Sequence, residues 1–319
     1  MPKTILVTGC AGFIGGNFVE KFKNKFPETT IVGIDDFSTG RRDAFDPREI
    51  SFYEGSILDR ELLKDIFIRR KPEYVFHFAA LPRVSFSVEN PHRTNNVNVG
   101  GTIALLEESK NHGVKRFIYS SSSSIYGKAE SLPVRESYHQ PNPLSPYALQ
   151  KYIGEKYCKM FSSLFGLDTI SLRYFNVFGP KQYGNSPYST AISAWLESLY
   201  FPENKKGFLE GDGTQSRDFC FVDNVINANI GAMQSDRKFS GEEFNIAHNE
   251  RTSLNDVIEK IESLTGKKLE LEKRPPRVGD VPHTHADISK AKAHFGYEPQ
   301  VKFDEGLKKT VEWFKTREI

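Results

Sequence analysis

A tyrosine and a lysine stand four residues apart where a helical pattern begins, at Tyr147 and Lys151. Residues at this spacing lie on one face of a helix, one turn apart. A tyrosine hydroxyl has a pKa of about 10 and is a poor base at neutral pH, but a neighbouring ammonium group lowers that pKa by stabilising the phenolate. Tyr147 is therefore a candidate general base. The spacing is also common on helices without a catalytic role, so the pair needs support from elsewhere in the chain.

Five consecutive serines, residues 120–124, raise a second question. A serine run is typical of a flexible linker. Aromatic and β-branched residues flank this run at 116–119 and 125–126, however, and such residues favour strands. We therefore interpret the serines as the end of a strand, and their hydroxyl groups as candidates for chemistry.

A glycine-rich turn near the N-terminus indicates a nucleotide-binding site. Gly9, Gly12 and Gly15 follow a strand pattern and open a helical one. Their missing side chains let the backbone turn sharply and approach a pyrophosphate at the helix N-terminus. Asp35 ends the next strand, where a carboxylate can accept hydrogen bonds from the adenosine ribose and repel a 2′-phosphate. Two arginines at 41–42 could bind such a phosphate, but with Asp35 present we expect NAD and not NADP.

The elements that must position these residues alternate along the first half of the chain. Continuous apolar strands between helices indicate a parallel sheet that is covered on both faces. Residues 176–218 are rich in Gly, Pro, Asn and Ser, which is typical of loops that carry binding groups, and residues 266–286 are interpreted as a connecting arm. The predicted strands are 4–7, 30–34, 74–78, 116–119 and 169–173, and the predicted helices are 13–26, 58–70, 101–112, 147–165, 253–265 and 304–315.

The composition excludes several classes of protein. Forty-three basic and 41 acidic residues leave a formal charge of +2, so we expect no nucleic-acid or anionic-membrane partner. Three scattered cysteines without a C-x-x-C pair predict neither a disulfide framework nor a metal site. We recognise no signal peptide and no apolar run of the ~20 residues that a membrane helix needs. We therefore expect a cytoplasmic protein.

The glycine spacing, Asp35, the serine-ended strand and the Tyr147–Lys151 pair together resemble the extended short-chain dehydrogenase/reductase family. Within that family the likeness is to the NAD-dependent nucleotide-sugar 4-epimerases, above all those that act on UDP-N-acetylglucosamine. The resemblance covers essentially the whole chain. Its further motifs are H-F-A-A at 77–80, N-V-G-G-T at 98–102, R-Y-F-N at 173–176, S-R-D-F at 216–219 and A-D-I-S-K-A at 286–291.

This resemblance implies an α/β fold, with a Rossmann-like doubly wound parallel sheet and a smaller C-terminal α/β substrate-binding domain. The NAD-binding domain would span residues 1–175 and be completed by parts of 218–250. Residues 176–319 would form most of the UDP-sugar-binding domain. A homodimer is also implied, in which the helix of Tyr147 and its neighbour pack against those of a second copy.

The same resemblance implies a catalytic set of Ser122, Tyr147 and Lys151, with NAD as a resident cofactor. Tyr147 would remove the proton of the sugar 4-hydroxyl while C4 gives up a hydride, and Ser122 would hydrogen-bond that oxygen. Lys151 would hold the nicotinamide ribose and lower the pKa of Tyr147. The keto sugar would then be reduced on its opposite face, so the reaction is an epimerisation with no net redox change.

Further binding residues are implied by the family's motifs, with three departures, of which the third is Thr284. Ser56 stands where many relatives have an aspartate that binds adenine, and Pro82-Arg83 replaces a lysine or small residues beside the sugar. The residues expected around NAD are Gly9, Gly12, Phe13, Ile14, Gly15, Asp35, Asp36, Ser38, Gly40, Ser56, Ile57, Ala79, Asn98, Tyr147 and Lys151. Those expected around the UDP-sugar are Arg83, Ser122, Ser123, Ser124, Asn176, Arg217, Arg277, Asp280 and Thr284.

Thr284 decides the prediction of the sugar. In the family that this chain resembles, a tyrosine at this position, two residues before Ala286, goes with hexoses that lack an N-acetyl group. A cysteine or serine there goes with acceptance of the N-acetyl group, and Thr284 is likewise small, although branched. We therefore expect UDP-N-acetylglucosamine and UDP-N-acetylgalactosamine as substrates. UDP-glucose is a further candidate, because the loss of an acetamido group leaves a gap and not a clash. Two alternatives stay open: a UDP-glucuronate or UDP-N-acetylglucosaminuronate 4-epimerase, whose carboxylate Arg83 could pair, and a non-catalytic NAD-binding scaffold.

Overall fold

A parallel sheet of seven strands forms the centre of the protein. The computed structural model describes residues 2–137, 140–184, 190–203, 206–276 and 281–317. The chain builds the sheet outward from the middle to one edge and then returns to build the other, which is the doubly wound arrangement. In spatial order the strands are β3 (Ser51–Glu54), β2 (Thr30–Asp35), β1 (Thr4–Thr8), β4 (Tyr74–His77), β5 (Arg116–Ser122), β6 (Thr169–Tyr174) and β11 (Glu242–Ile246).

Helices cover both faces of this sheet, and each face has its own apolar core. Successive strand residues point to opposite faces, so Ile5 and Leu6 lie in different cores, as do Phe117 and Ile118. The predicted fold class is therefore confirmed. The helices are α1 (Phe13–Lys25), α2 (Arg60–Arg70), α3 (Val84–Glu89), α4 (Pro91–Asn95), α5 (Thr102–Asn111), α6 (Pro146–Phe165), α7 (Ala191–Tyr200), α8 (Val222–Gln234), α9 (Leu254–Thr265), α10 (Ser289–Phe295) and α11 (Phe303–Arg317).

Outside the central sheet, the residues that the structure describes form three small strand pairs. Two predictions are corrected here. The described part of 176–218, predicted as loops, also contains α7 and short strands, and the predicted connecting arm at 266–286 contains a strand. The division into two domains stays a prediction. The pairs are β7 (Val177–Phe178) with β10 (Cys220–Phe221), β9 (Ser216–Arg217) with β12 (Thr252–Ser253), and β8 (Gly207–Glu210) with β13 (Leu271–Arg274).

The three cysteines, Cys10, Cys158 and Cys220, are each fully buried and unbonded to one another. None of the helices in the described residues combines the length and the apolar character that a membrane crossing requires.

Candidate active site

The carboxyl ends of the central strands open into a cavity of about 1160 Å³. Ligands of open α/β sheets bind at this edge, where the strand order reverses, and the cavity is larger than the ~300–1000 Å³ of a typical single-ligand pocket. Of the predicted site residues that the structure describes, all except Ser56 and Asn98 line it. Arg277 and Asp280 fall outside the described residues.

The glycine-rich turn is shaped to receive a pyrophosphate. Gly9 has a φ of 70°, and a Cβ atom at Gly15 would stand 2.1 Å from the Gly9 carbonyl oxygen. Side chains are therefore excluded where the chain turns into α1. That helix begins after Gly12 without a side-chain cap, so its first N–H groups can bind an anion. These residues fit the pyrophosphate of NAD.

Asp35 occupies the position expected of a ribose-binding carboxylate. Its oxygens accept hydrogen bonds from the N–H groups of Ala11 at 2.9 Å and Phe37 at 2.8 Å, which fix the side chain at the cavity wall. Burial raises the pKa of Asp35, and these two N–H groups oppose that rise. Arg42, which could have bound a 2′-phosphate, instead makes two bonds with Glu54, at 3.0 and 2.6 Å. The arrangement favours NAD.

Beside the cofactor end of the cavity, the structure shows a group of contacts that the sequence does not predict, and we call this group the clasp. It consists of Arg41, Asp43, Lys181 and Tyr183. The guanidinium of Arg41 lies 3.9 Å from the ring centre of Tyr183, whose hydroxyl donates to Asp43 at 3.0 Å. Lys181 donates to the carbonyl of Ala44 at 3.0 Å. The clasp thus joins the loop after β2 to a segment that lies 137–140 residues later in the chain.

Ser56 and Asn98 make internal bonds. The Ser56 hydroxyl accepts a bond from the Leu58 N–H at 3.3 Å, in the turn before α2. The Asn98 amide donates to the Leu81 carbonyl at 3.1 Å and to Gln150 at 2.9 Å, and its oxygen accepts from the Leu81 N–H at 2.8 Å. Asn98 therefore supports the loop that carries Arg83 and ties it to α6.

Helix α6 carries Tyr147 and Lys151 to the end of β5. The helix begins with a Ser145 cap, whose hydroxyl accepts the Ala148 N–H at 3.2 Å. At Gly154 a Cβ atom would stand 2.2 Å from the hydroxyl of Tyr119 on β5. Glycine therefore lets α6 lie close against the strand. The Lys151 ammonium donates to the Ser120 carbonyl at 2.7 Å and is thereby held at the strand end.

The electrostatics of this cluster are set mainly by burial. Burial raises the pKa of Tyr147 to about 12, while a hydrogen bond with Ser122 and the charge of Arg83 act in the opposite direction. Burial also lowers the pKa of Lys151 to about 8. Lys151 Nζ lies 6.0 Å from the centre of the Tyr147 ring. The expected lowering of the Tyr147 pKa by Lys151 is therefore not seen in the structure, where burial raises this pKa and the groups that oppose the rise are Ser122 and Arg83.

The serine run now has a structural explanation. Strand β5 extends through Ser122, three residues beyond the predicted end, and Ser123 opens a short 3₁₀ turn. Ser120 is hydrogen-bonded to Tyr174 at 3.1 Å, and the Ser124 hydroxyl donates to that of Ser122 at 2.9 Å. The interpretation of the run as the end of a strand is correct for Ser120–Ser122. The hydroxyl of Ser120 is paired with the neighbouring strand β6, and those of Ser122 and Ser124 are paired with each other.

Three segments of the chain meet at Asp218, next to Arg217 and near Thr284, which both line the cavity. This buried carboxylate accepts bonds from the N–H groups of Ala286, His248 and Asn249 at 2.9–3.2 Å. Next to it, the Thr284 hydroxyl accepts bonds from the amide of Asn176 at 2.9 Å and from the Asp218 N–H at 3.1 Å. Thr284 is therefore held in place as part of the wall.

Arg83 stands at the turn into α3 with a φ of 102°. Such a backbone conformation is costly for a residue with a side chain and is found most often at binding sites. Ser87, one turn further on, accepts a bond from the Tyr147 N–H at 3.0 Å. The loop with Arg83 and the helix with Tyr147 are thus fixed relative to each other.

Comparison with known proteins shows the family to which the chain belongs. The sequence profile of the NAD dependent epimerase/dehydratase family matches residues 5–247. A UDP-glucuronate 4-epimerase of Thermodesulfobacterium geofontis is 36% identical, over 97% of this chain and 95% of that protein. The UDP-glucose 4-epimerase of Thermotoga maritima, solved with UDP-glucose, has a TM-score of 0.92 at 37% identity, covering 98% and 99% of the two chains. A UDP-N-acetylglucosamine 4-epimerase of Methanobrevibacter ruminantium, solved with UDP-N-acetylmuramic acid, has a TM-score of 0.90 at 34% identity, covering 99% of each chain.

A Rossmann-like sheet with a glycine-rich turn at the carboxyl ends of its strands is typical of enzymes that bind a nicotinamide dinucleotide. The chain belongs to the NAD dependent epimerase/dehydratase family. The predicted class, an NAD-dependent UDP-sugar 4-epimerase of the extended short-chain type, is confirmed. The scaffold alternative therefore loses its support.

Proposed function

We propose that the protein interconverts UDP-N-acetylglucosamine and UDP-N-acetylgalactosamine by inverting carbon 4 of the sugar. The observation that supports this choice is Thr284, a small residue in the cavity wall whose hydroxyl is bound to Asn176. A threonine leaves room for an acetamido group that a tyrosine would exclude. The similarity to the Methanobrevibacter enzyme supports the same choice.

In the proposed reaction, NAD supplies the oxidation and re-reduction at carbon 4. Tyr147 takes the proton of the 4-hydroxyl and later returns one, and Ser122 hydrogen-bonds the same oxygen. Lys151 keeps a positive charge near the phenolate, which favours its formation. Because the protein holds these groups in fixed positions, less entropy is lost in reaching the transition state.

The nucleotide half of the substrate is proposed to lie against Asn176 and Arg217, which line the cavity together with Thr284. An arginine suits a diphosphate because its planar guanidinium can donate two parallel bonds to phosphate oxygens. Arg277 and Asp280 remain predicted contacts of the diphosphate and the uridine ribose.

A second candidate substrate is an acidic UDP-sugar. Arg83 lines the cavity, and its charge acts on Tyr147, so a carboxylate on carbon 6 could be paired with it. The similarity to the Thermodesulfobacterium UDP-glucuronate epimerase supports this candidate. Turnover confined to UDP-glucuronate or UDP-N-acetylglucosaminuronate would replace the first proposal by this one.

Replacing Thr284 with tyrosine tests the substrate proposal. The wild-type protein should convert UDP-N-acetylglucosamine, and T284Y should lose roughly tenfold or more of that turnover relative to UDP-glucose, because the larger ring fills the acetamido space. Chromatographic separation of the epimers measures both rates. T284V is the matched control, since it removes the hydroxyl bonds without adding bulk. Equal losses in T284V and T284Y would show that the bonds, and not the space, decide the result.

We also propose a homodimer in which a second copy covers the outer face of α6. Leu149, Met160 and Leu164 are large apolar side chains that are exposed on one face of this helix, whereas surfaces of monomers seldom gather such residues. L164E should convert the dimer to a monomer in light scattering, because Leu164 is 66% exposed and a buried charge is costly. Ile68 on α2, 50% exposed, gives the control I68E. A wild-type monomer would contradict the proposal.

A further inference from the structure

A buried ion pair joins the elements that carry the proposed catalytic residues. Glu155 lies on α6, one turn beyond Lys151, and Arg173 lies on β6 beside Ser121 in the register of the sheet. Arg173 Nε and Nη2 donate to different carboxylate oxygens of Glu155, each at 2.8 Å. Their side chains are only 2% and 6% exposed.

Both flanks of Ser122 are tied to this ion pair. On one side, the Ser121 hydroxyl donates to Glu155 Oε1 at 2.6 Å. On the other side, Tyr126, at the end of the 3₁₀ turn, accepts a bond from Arg173 Nη1 at 2.8 Å. Ser122 therefore lies in a short segment whose two ends converge on one buried pair.

We propose that Glu155 and Arg173 are positioning residues that fix the Ser122 hydroxyl relative to Tyr147. Neither residue lines the cavity, so they act through the strand end and the helix. A buried ion pair adds little stability compared with packed apolar residues, which is consistent with a geometric role. Misplacing a reacting group by about 1 Å can lower a rate roughly 100-fold. This inference rests on the proposed roles of Ser122 and Tyr147.

The test compares E155Q with a matched variant at the other end of the same strands. Arg116, the first residue of β5, pairs with Asp168 just before β6 at 2.7 Å, and these side chains are 8% and 9% exposed. D168N therefore also breaks a buried pair between β5 and the residues next to β6, but far from the serines. We expect the kcat of E155Q to fall roughly 10- to 100-fold with KM and bound NAD unchanged, and that of D168N to stay at the wild-type value. Thermal denaturation checks that both variants are folded.

S121A provides a second variant if E155Q does not fold, because it removes the strand tether and keeps the ion pair. A lower kcat in S121A without a change in KM supports the inference. Wild-type kcat in S121A and E155Q, or an equal loss in D168N, overturns it. Failure of the proposed function would instead appear as an absence of UDP-hexose turnover in the wild-type protein.

Discussion

Replacing Tyr147 with phenylalanine should lower kcat by roughly 10²- to 10⁴-fold, the usual contribution of a general base. The ring stays in place, so the cavity keeps its shape, and only the group that accepts the proton from the sugar is lost. Bound NAD, measured by its absorbance after denaturation, and UDP affinity, measured by calorimetry, should remain at the wild-type level. Steady-state epimerisation measures the rate.

Tyr157→Phe is the matched control for this experiment. Tyr157 lies on the same helix, packs against an apolar core and does not line the cavity. Its variant should keep wild-type turnover. A Y147F protein that retains more than about a tenth of the wild-type kcat would contradict the role of general base.

The replacement of Arg116 with methionine should lower the free energy of unfolding by about 3–5 kcal/mol, the usual cost of leaving one buried partner of an ion pair uncompensated. Arg116 Nε donates to Asp168 at 2.7 Å, and its other nitrogens donate to the carbonyls of Ala232, Ser235 and Arg237 at the end of α8. Methionine fills the space but removes the positive charge beside Asp168, which keeps its bonds from the N–H groups of Phe239 and Ser240. It also leaves the three carbonyls without the guanidinium donor. Urea denaturation at a fixed NAD concentration measures the change.

A surface pair provides the comparison. Arg48 lies 2.6 Å from Asp46, and its side chain is 88% exposed, so water and salt already screen the interaction. R48M should show no measurable loss of stability. If R116M lost no more free energy of unfolding than R48M, the bonds of the buried guanidinium between β5 and α8 would not stabilise the fold.

Local patterns were sufficient to predict much of the sheet and the position of the site. Continuous apolar strands, the glycine turn and the serine-ended strand each lie within about ten neighbouring residues, and parallel topology then brings their carboxyl ends together. Helix α6 was predicted almost to its ends because Gly166 adopts the left-handed conformation that closes it. Nearly all described site residues consequently fall at one cavity.

Features that depend on distant partners were missed. Helix α8 buries Asn224 and Asn229, which bond to the Val301 carbonyl and to Tyr174, and these polar residues interrupt the apolar periodicity that a helix prediction needs. The link between Ser121 and Glu155 spans 34 residues and the clasp about 140, so neither leaves a local pattern. Strand β11 pairs with β6 although the two strands lie far apart in the sequence, at 242–246 and 169–174.

The three cysteines have a practical consequence for studying this enzyme. A thiol reacts as its thiolate, and burial raises the pKa of Cys10, Cys158 and Cys220. The folded protein should therefore not react with maleimide dyes, and labelling of these three cysteines should measure local or global unfolding. A single cysteine at Ile68 on α2, an exposed position outside the proposed interface, would accept a fluorophore without background. Energy transfer between donor-labelled and acceptor-labelled copies would then follow the proposed association.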